Sequence, residues 1–494
     1  MKRWTLLALG VLMAPVLPAQ AQSTGGPDVL FIAIDDLNDW VGVLGGHPQA
    51  ITPNIDALAA RGMLFTNAHV PSALCNPSRT AIFTGLAPST TGVYANAPDW
   101  RTVERLDGIP TIPRYFRDRG YRTTGAGKLF HAHTYSDAGF SGYNDLTAWD
   151  AYYPSLDRQL PDEVRPLNRP ANGNPFSWNI DWAGLVTEDS AMGDGQVVGW
   201  GQQQLAAAGD QPRFVAVGIY RPHPPWYVPQ KYLDLYPLED VELPRVLETD
   251  LDDVPAAALI AGYSGNMPPM GLHDWIVEAD LWKEGVQAYL ASVSFADAMV
   301  GRLIDALDRS GRAENTIIVL WSDHGWHLGE KLRWRKQTAW EESTRIPFII
   351  VAPGISTPGS QTDEVVSLMD LYPTLTELAG LDMPGHVEGT SLVPLLRDPD
   401  SPWEKMALST FGFMNHAVRS DRYRYIRYFD GSEELYDHES DPQEWINLAA
   451  DPDFSDIKSQ LAEWLPSEDA PDAYYDYLID AEPDSADQGS INGE

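Results

Sequence analysis

Two hydrophobic patterns alternate along the chain. Five short apolar runs, Asp28 to Ile34, Tyr121 to Gly125, Phe214 to Ile219, Thr316 to Trp321 and Ile346 to Val351, are bounded by polar or glycine-rich turns. A strand covered on both faces needs no polar alternate positions, so these runs predict buried strands. Between them the period becomes helical. Val286, Leu290, Val293, Val300, Leu303, Ile304 and Leu307 fall on one face of a long helix that ends at Gly311. Thr52 and Pro53, followed by Ile55, Leu58, Ala59 and Gly62, provide the N-cap, first-turn proline, apolar stripe and terminal glycine of a shorter one. Strands alternating with helices predict an α/β sandwich around a largely parallel sheet.

Elsewhere the texture differs. From about Asp137 to Gly195, Pro, Asn, Trp and Tyr occur without a clear period, which predicts loops over one face. Beyond Leu396, alternating segments at His416 to Phe429 and Glu434 to Asp437 precede a helical stretch, Phe454 to Leu465. These predict a smaller antiparallel sheet with a packed helix, and the acidic tail after Ser467 is expected to be partly disordered. The expected division is a catalytic domain at 22–396 and a C-terminal subdomain at 397–494. No internal repeat is visible.

Met1-Lys2-Arg3, the apolar run Leu6 to Leu17, and Ala19-Gln20-Ala21 have the three regions of a secretory signal peptide cleaved after residue 21. No later stretch has the roughly 18 uninterrupted apolar residues of a membrane span. The expectation is an exported protein, periplasmic or secreted. A formal net charge of −36 excludes nucleic acid and anionic membranes as general partners, because such a surface repels them at long range. An anionic carbohydrate would need a local positive pocket, which Debye screening over about 10 Å allows. The single cysteine, Cys75, cannot form an internal disulfide and is left as a thiol in an oxidising compartment.

In open α/β sheets, chemistry gathers beyond the carboxyl ends of the strands. The first run is followed by Asp35-Asp36, the second by Lys128 and His131, the third by Arg221-Pro222-His223, and the fourth by Asp323-His324. Each piece alone has an ordinary explanation as a cap, a turn or a packed side chain. Jointly they crowd like charges, which is costly unless a cation neutralises them, and a divalent metal is the simplest candidate.

The central segment is Cys75-Asn76-Pro77-Ser78-Arg79, continued by Thr84-Gly85-Leu86-Ala87-Pro88-Ser89-Thr90-Thr91-Gly92. It resembles the signature of the type I sulfatases, in which the cysteine is oxidised to formylglycine. Gly127-Lys128-Leu129-Phe130-His131, Arg221 to Pro225, Asp323 to Glu330 with Lys336, and Asn415 to Arg419 with Trp445 to Leu448 are similar to the iduronate-2-sulfatase branch. The resemblance spans nearly the whole mature chain. It implies an alkaline-phosphatase-like fold and a formylglycine-generating maturation enzyme as a partner.

By that resemblance Asp35, Asp36, Asp323, His324 and the modified Cys75 hold a metal, calcium or else magnesium, and carboxylate oxygens suit such hard cations. His324 leaves the metal somewhat open, because many sulfatases have asparagine there. The formylglycine hydrate would attack sulfur in line, with Arg79 and Lys128 anchoring the diol and Lys128 and Lys336 binding sulfate oxygens. His223 would protonate the leaving oxygen and His131 would deprotonate the second hydroxyl, roles that could be exchanged. His416 and Arg419 would contact a uronate or neighbouring sugar at the rim. The implied substrate is a sulfated carbohydrate. A phosphoesterase on the same fold and a sulfated-glycan binder with an unmodified cysteine are the competing readings.

Overall fold

The computed structural model describes residues 25–133, 141–161, 166, 170–171, 174–175, 180–260 and 271–473. The expected signal segment, part of the loop-rich region and the end of the acidic tail lie outside these. Among the described residues the central sheet contains β1 (Asp28–Ile34), β2 (Met63–Phe65), β3 (Arg122–Gly127), β4 (Ala151–Tyr153), β5 (Arg213–Ile219), β6 (Thr316–Ser322), β7 (Phe348–Val351) and β8 (Ser360–Thr362). Across the sheet their order is β8-β2-β7-β6-β1-β5-β3-β4. All run in one direction except β7, which is antiparallel to both β6 and β2.

All five expected strands are present. The fifth begins at Phe348 rather than Ile346 and is the reversed one, a direction that an apolar run cannot encode. Strand β1 sits near the middle, and its alternation serves two cores. Leu30, Ile32 and Ile34 pack on one side with the 29-residue helix α4 (Trp282–Ser310), α3 (Gly193–Ala206) and α1 (Pro53–Ala59). Val29, Phe31 and Ala33 pack on the other with Ile82 and Phe83 of α2 (Cys75–Thr84) and Leu371 and Leu375 of α5 (Leu371–Leu378). Burial on both faces explains why β1 is apolar from Val29 to Ile34.

The register levels the strand ends. Ile34 lies opposite Ile219 and Ser322, and Gly218 opposite Gly127, so the segments after β1, β3, β5 and β6 emerge at one edge. Glycine is required where two of them cross. Gly127 has φ 72°, and a Cβ on Gly127 or Gly218 would lie 2.1 Å from a backbone oxygen. This close approach lets Lys128 turn into the edge, its N–H donating to the Gly218 carbonyl at 3.1 Å.

The C-terminal part is an antiparallel meander of β9 (Ala407–Thr410), β10 (His416–Arg419), β11 (Tyr423–Arg427) and β12 (Glu433–Asp437), followed by α6 (Ser455–Ala462). One face, with Val418, Tyr425 and Leu435, buries against Leu461 of α6. The other, with Ala417, Ile426 and Tyr436, packs on Ala73, Ala339 and Trp340 of the larger part. No described helix is long and apolar enough to cross a membrane.

Candidate active site

Cys75 is the first residue of α2, preceded by Leu74 in extended conformation (φ −153°, ψ 140°). Pro77 falls in the first turn, where a missing N–H leaves no helical bond unmade, and Gly85 closes the helix in the left-handed region at φ 75°. All ten residues of the helix are buried, so it has no polar face and no amphipathic period. The approach to Cys75 is held from both parts of the molecule. Thr410 N–H donates to Pro71 O at 2.8 Å, and Gln337 N–H donates to Ala73 O at 3.1 Å. Asn76, to which sequence reasoning gives no role, donates through Nδ2 to Ala95 O at 3.1 Å and Pro98 O at 2.8 Å. These bonds fix the helix start. Ser78 Oγ likewise donates to Asp323 O at 2.6 Å, tying α2 to the end of β6.

Around the thiol, opposite charges interlock. Arg79 is fully buried and bonds Asp323 Oδ2 at 2.7 Å and Asp35 Oδ1 at 3.0 Å, while its Nη1 group donates to the carbonyls of Lys128 and Leu129 at 2.7 and 2.8 Å. Lys128 Nζ bonds Asp35 Oδ2 and stands 3.8 Å from Cys75 Sγ. Lys336 Nζ bonds both oxygens of Asp36 at 2.8 and 2.9 Å. His324 Nε2 lies 3.1 Å from the sulfur, 3.4 Å from Asp36 Oδ1 and 3.5 Å from Asp323 Oδ2. Asp36 reaches inward with a left-handed backbone, φ 61°, braced by Tyr289 OH donating to its carbonyl at 2.8 Å.

These contacts polarise the site. Burial would raise the Cys75 thiol, but Lys128, Lys336 and His324 overcome it and hold the group well below its ordinary value. Burial would also raise Asp323, and Arg79 and His324 more than offset it, leaving its carboxyl at about 2. Asp36 goes the other way. Burial pushes it up to about 7 despite Lys336, with Asp35 adding repulsion. His223 is held well below the usual imidazole range, first by burial and then by Lys128 and Lys336.

The ligand atoms of Asp35, Cys75, Asp323 and His324 all lie within 4.8 Å of one another and are buried. Asp36, whose Oδ1 lies 3.4 Å from His324 Nε2, adds a third carboxylate beside this donor set, and hard oxygens converging in this way fit a divalent cation. His223 Nε2 is 3.9 Å from Asp36 Oδ2, and its Nδ1 lies 2.6 Å from Pro224 O. The His223 loop is anchored by Asp194, which accepts from the N–H groups of Tyr220 and Arg221 at 2.6 and 3.0 Å. Asp194 carries no motif that would expose this role.

The expected residues are therefore gathered unevenly. Asp35, Asp36, Cys75, Arg79, Lys128, His223, Asp323, His324 and Lys336 form one contiguous cluster. His131 is buried at the same edge, its ring 6.1 Å from that of Tyr143. His416 and Arg419, expected at the rim, are both buried and both bond other groups of the protein. His416 lies between Thr410 Oγ1 at 3.0 Å and Asp469 Oδ2 at 3.1 Å. Arg419 is 5% exposed, pairs with Glu341 at 3.3 Å and bonds the carbonyls of Ser420 and Asp421.

Comparison with known proteins decides what this edge belongs to. A family model described as Sulfatase matches residues 27–381. The chain belongs to the sulfatase family. A second model, N-sulphoglucosamine sulphohydrolase, C-terminal, matches residues 329–470 of this sulfatase. A sulfatase of Formosa agariphila is 40% identical over 459 residues, covering 90% of this chain and 87% of the relative. Human iduronate 2-sulfatase is 31% identical over 435 residues, covering 77% and 74%. Among solved structures, the phosphonate monoester hydrolase of Agrobacterium radiobacter superposes with a TM-score of 0.71 at 25% identity, covering 88% of this chain and 94% of that one. The protein is a sulfuric ester hydrolase.

Proposed function

We propose that this sulfatase hydrolyses sulfate esters of a sulfated carbohydrate through a formylglycine made from Cys75, with a divalent metal held by Asp35, Asp36, Asp323 and His324. The observation that carries the reading is the buried Cys75 at the start of α2, 3.8 Å from Lys128 and 3.1 Å from His324, within Cys-Asn-Pro-Ser-Arg. Formylglycine supplies an oxygen nucleophile, and calcium or magnesium supplies Lewis acidity beside it. The relatives named for iduronate sulfate and for sulfatase activity support a sugar substrate.

The chain's own residues then divide the work. Arg79, locked between two aspartates, keeps the nucleophile's helix and the acidic ligands in fixed register. Lys128 and Lys336 aim their ammonium groups at the space over Cys75, where three sulfate oxygens carry charge through the transition state. His223 donates its Nδ1 proton to Pro224 O, so Nε2 faces the leaving oxygen. Its depressed proton affinity comes partly from Lys128 and Lys336, and an arriving sulfate ester offsets both cations, restoring the proton that the leaving alkoxide needs. His131 remains the candidate for the second proton transfer. We also place the catalytic domain at 22–396, the smaller subdomain at 397–494, and the protein outside the cytoplasm after removal of residues 1–21.

Two measurements test this. Intact mass of the purified protein should fall about 18 Da below that of the unmodified chain, the change from thiol to aldehyde. Turnover of a panel of sulfated sugars should exceed that of matching phosphate and phosphonate monoesters. Preference for the phosphonate, which the Agrobacterium fold neighbour makes the natural rival, would overturn it.

A further inference from the structure

Each aspartate at the sulfatase site is paired with a permanent cation. Asp35 and Asp323 share Arg79, Asp35 also has Lys128, and Asp36 has Lys336. One more permanent cation stands beside them. Arg335 directly precedes Lys336, lies opposite His327 in a two-residue antiparallel pair, and is half-buried. Among the described residues its guanidinium makes no hydrogen bond and no ion pair, and its Nε is buried without a partner.

Arg335 sits in a strained turn. Lys331, Leu332, Arg335 and Gln337 all adopt positive φ, at 54°, 50°, 82° and 72°. A residue with a Cβ adopts this region only against a steric penalty. In an extended strand consecutive side chains diverge to opposite faces. The left-handed turn at Arg335 breaks that alternation, so Arg335 and the Asp36-bound Lys336 are not forced apart. The guanidinium feels the carboxylate of Asp36 and the sulfur of Cys75, while burial weakens its hold on the proton. Arg333, two residues earlier, also has an unpartnered buried Nε, but its Nη2 donates to Ala258 O at 3.1 Å and its guanidinium lies over the Trp340 ring, contacts that Arg335 lacks among the described residues.

A partly desolvated guanidinium without a counter-ion is destabilising, and a strained backbone that keeps it so is the mark of a binding group awaiting its ligand. We propose that Arg335 is a specificity-determining residue whose guanidinium receives a second anionic group, a carboxylate or another sulfate, on the sugar bearing the scissile ester. Lys336 engages the ester, and the planar fork of Arg335 suits bidentate contact with a second oxyanion. The inference rests on the carbohydrate reading above and narrows it to substrates with two negative charges.

The test compares the R335Q and R335K variants with the wild type, all carrying the formylglycine, on a monosulfated neutral hexose, the same hexose with a second sulfate, and a monosulfated uronic acid. R335Q should lose about 30- to 100-fold in kcat/KM, expressed in KM, on whichever doubly anionic sugar fits. On the neutral hexose sulfate it should lose no more than about threefold, and R335K should recover part of the deficit. The sugar that suffers identifies carboxylate or sulfate. R335Q should also unfold at the same or a higher temperature, because it relieves an uncompensated cation, whereas a structural arginine would leave it less stable. Equal losses on all three sugars, or none on either doubly anionic one, would overturn the proposal while leaving the sulfatase reading intact. A wild type that turned over aryl sulfate but none of the sugars would overturn the carbohydrate reading and this inference together.

Discussion

Two buried ion networks lie in this molecule, and they are built for opposite ends. At the seam with the C-terminal sheet, Arg424 is completely buried, bonds Glu444 at 2.6 Å and Glu341, and donates to Ala339 O at 2.9 Å. Glu444 also accepts from His438 at 2.8 Å, and Lys331 bonds Asp250 at 2.7 Å. Around Cys75 the charges are as dense, but the pairing is uneven: burial drives Asp36 up to about 7 although Lys336 bonds both its oxygens, and Arg335 has no counter-ion among the described residues. At the seam Arg424, His438 and Lys331 each have an acidic partner within the protein. The catalytic edge is complete only when something else arrives. Burial of charge is thus a poor guide to function, and the residual imbalance is the informative quantity.

The strongest attempt to break this contrast is Cys75→Ala. With the surrounding acids untouched, turnover of a sulfate ester should drop by at least about 10⁴-fold, because the proposed nucleophile and its modification are both gone. Undiminished desulfation would show that the network holds substrate without using the cysteine. Lys336→Ala comes next. It removes one preorganised positive group from the sulfate and frees Asp36, so a loss of about 10²- to 10³-fold in kcat is expected. If only KM rose, Lys336 would be binding ground state and transition state alike.

The seam should respond differently. Arg424→Met removes one side of a buried pairing and leaves Glu444 and Glu341 short of a cation, which costs about 3 to 5 kcal/mol of stability. In the fraction that remains folded, kcat should stay within about threefold of the wild type. Denaturant unfolding and active-site titration on one sample separate the two numbers. A fall in kcat comparable to that of Lys336→Ala would mean that the two networks communicate.

The same contrast governs what the residues alone disclose. Strands β1, β5 and β6 declare themselves by apolar runs, β3 (Arg-Thr-Thr-Gly-Ala-Gly) is legible only as a short segment between turns, and the rule that sites follow strand ends is enough to bring Asp35, Lys128, His223 and Asp323 to one edge. Strands β2, β4 and β8 have only three residues each and leave no pattern to detect. Helix α2 is invisible as a helix because it is buried all round, although its residues carry the most specific motif. The seam escapes for another reason. Arg424, Glu444 and Glu341 are separated along the chain, and each alone looks like a solvated charge. Arg419 reads as a substrate contact because the residues around it resemble the family pattern, and its pairing with Glu341 is a contact that the pattern does not announce.

The gentlest discriminant is acid. Burial would raise the Glu444 carboxyl, but Arg424 and His438 outweigh it and hold the group at about 2, below the ordinary 4.5 of a glutamate. The folded state therefore binds fewer protons than the unfolded chain between these values. The stabilisation is fully present above pH 4.5 and is lost as pH falls toward 2, on the order of 3 kcal/mol in all. In Glu444→Gln this pH-dependent part disappears. Its stability, already lower at pH 7, should decline less steeply across that interval, by up to about 1.4 kcal/mol per pH unit, in urea unfolding followed by tryptophan fluorescence. Identical slopes in the two proteins would mean that Glu444 titrates alike folded and unfolded, and that the seam is not the saturated ion network its distances describe.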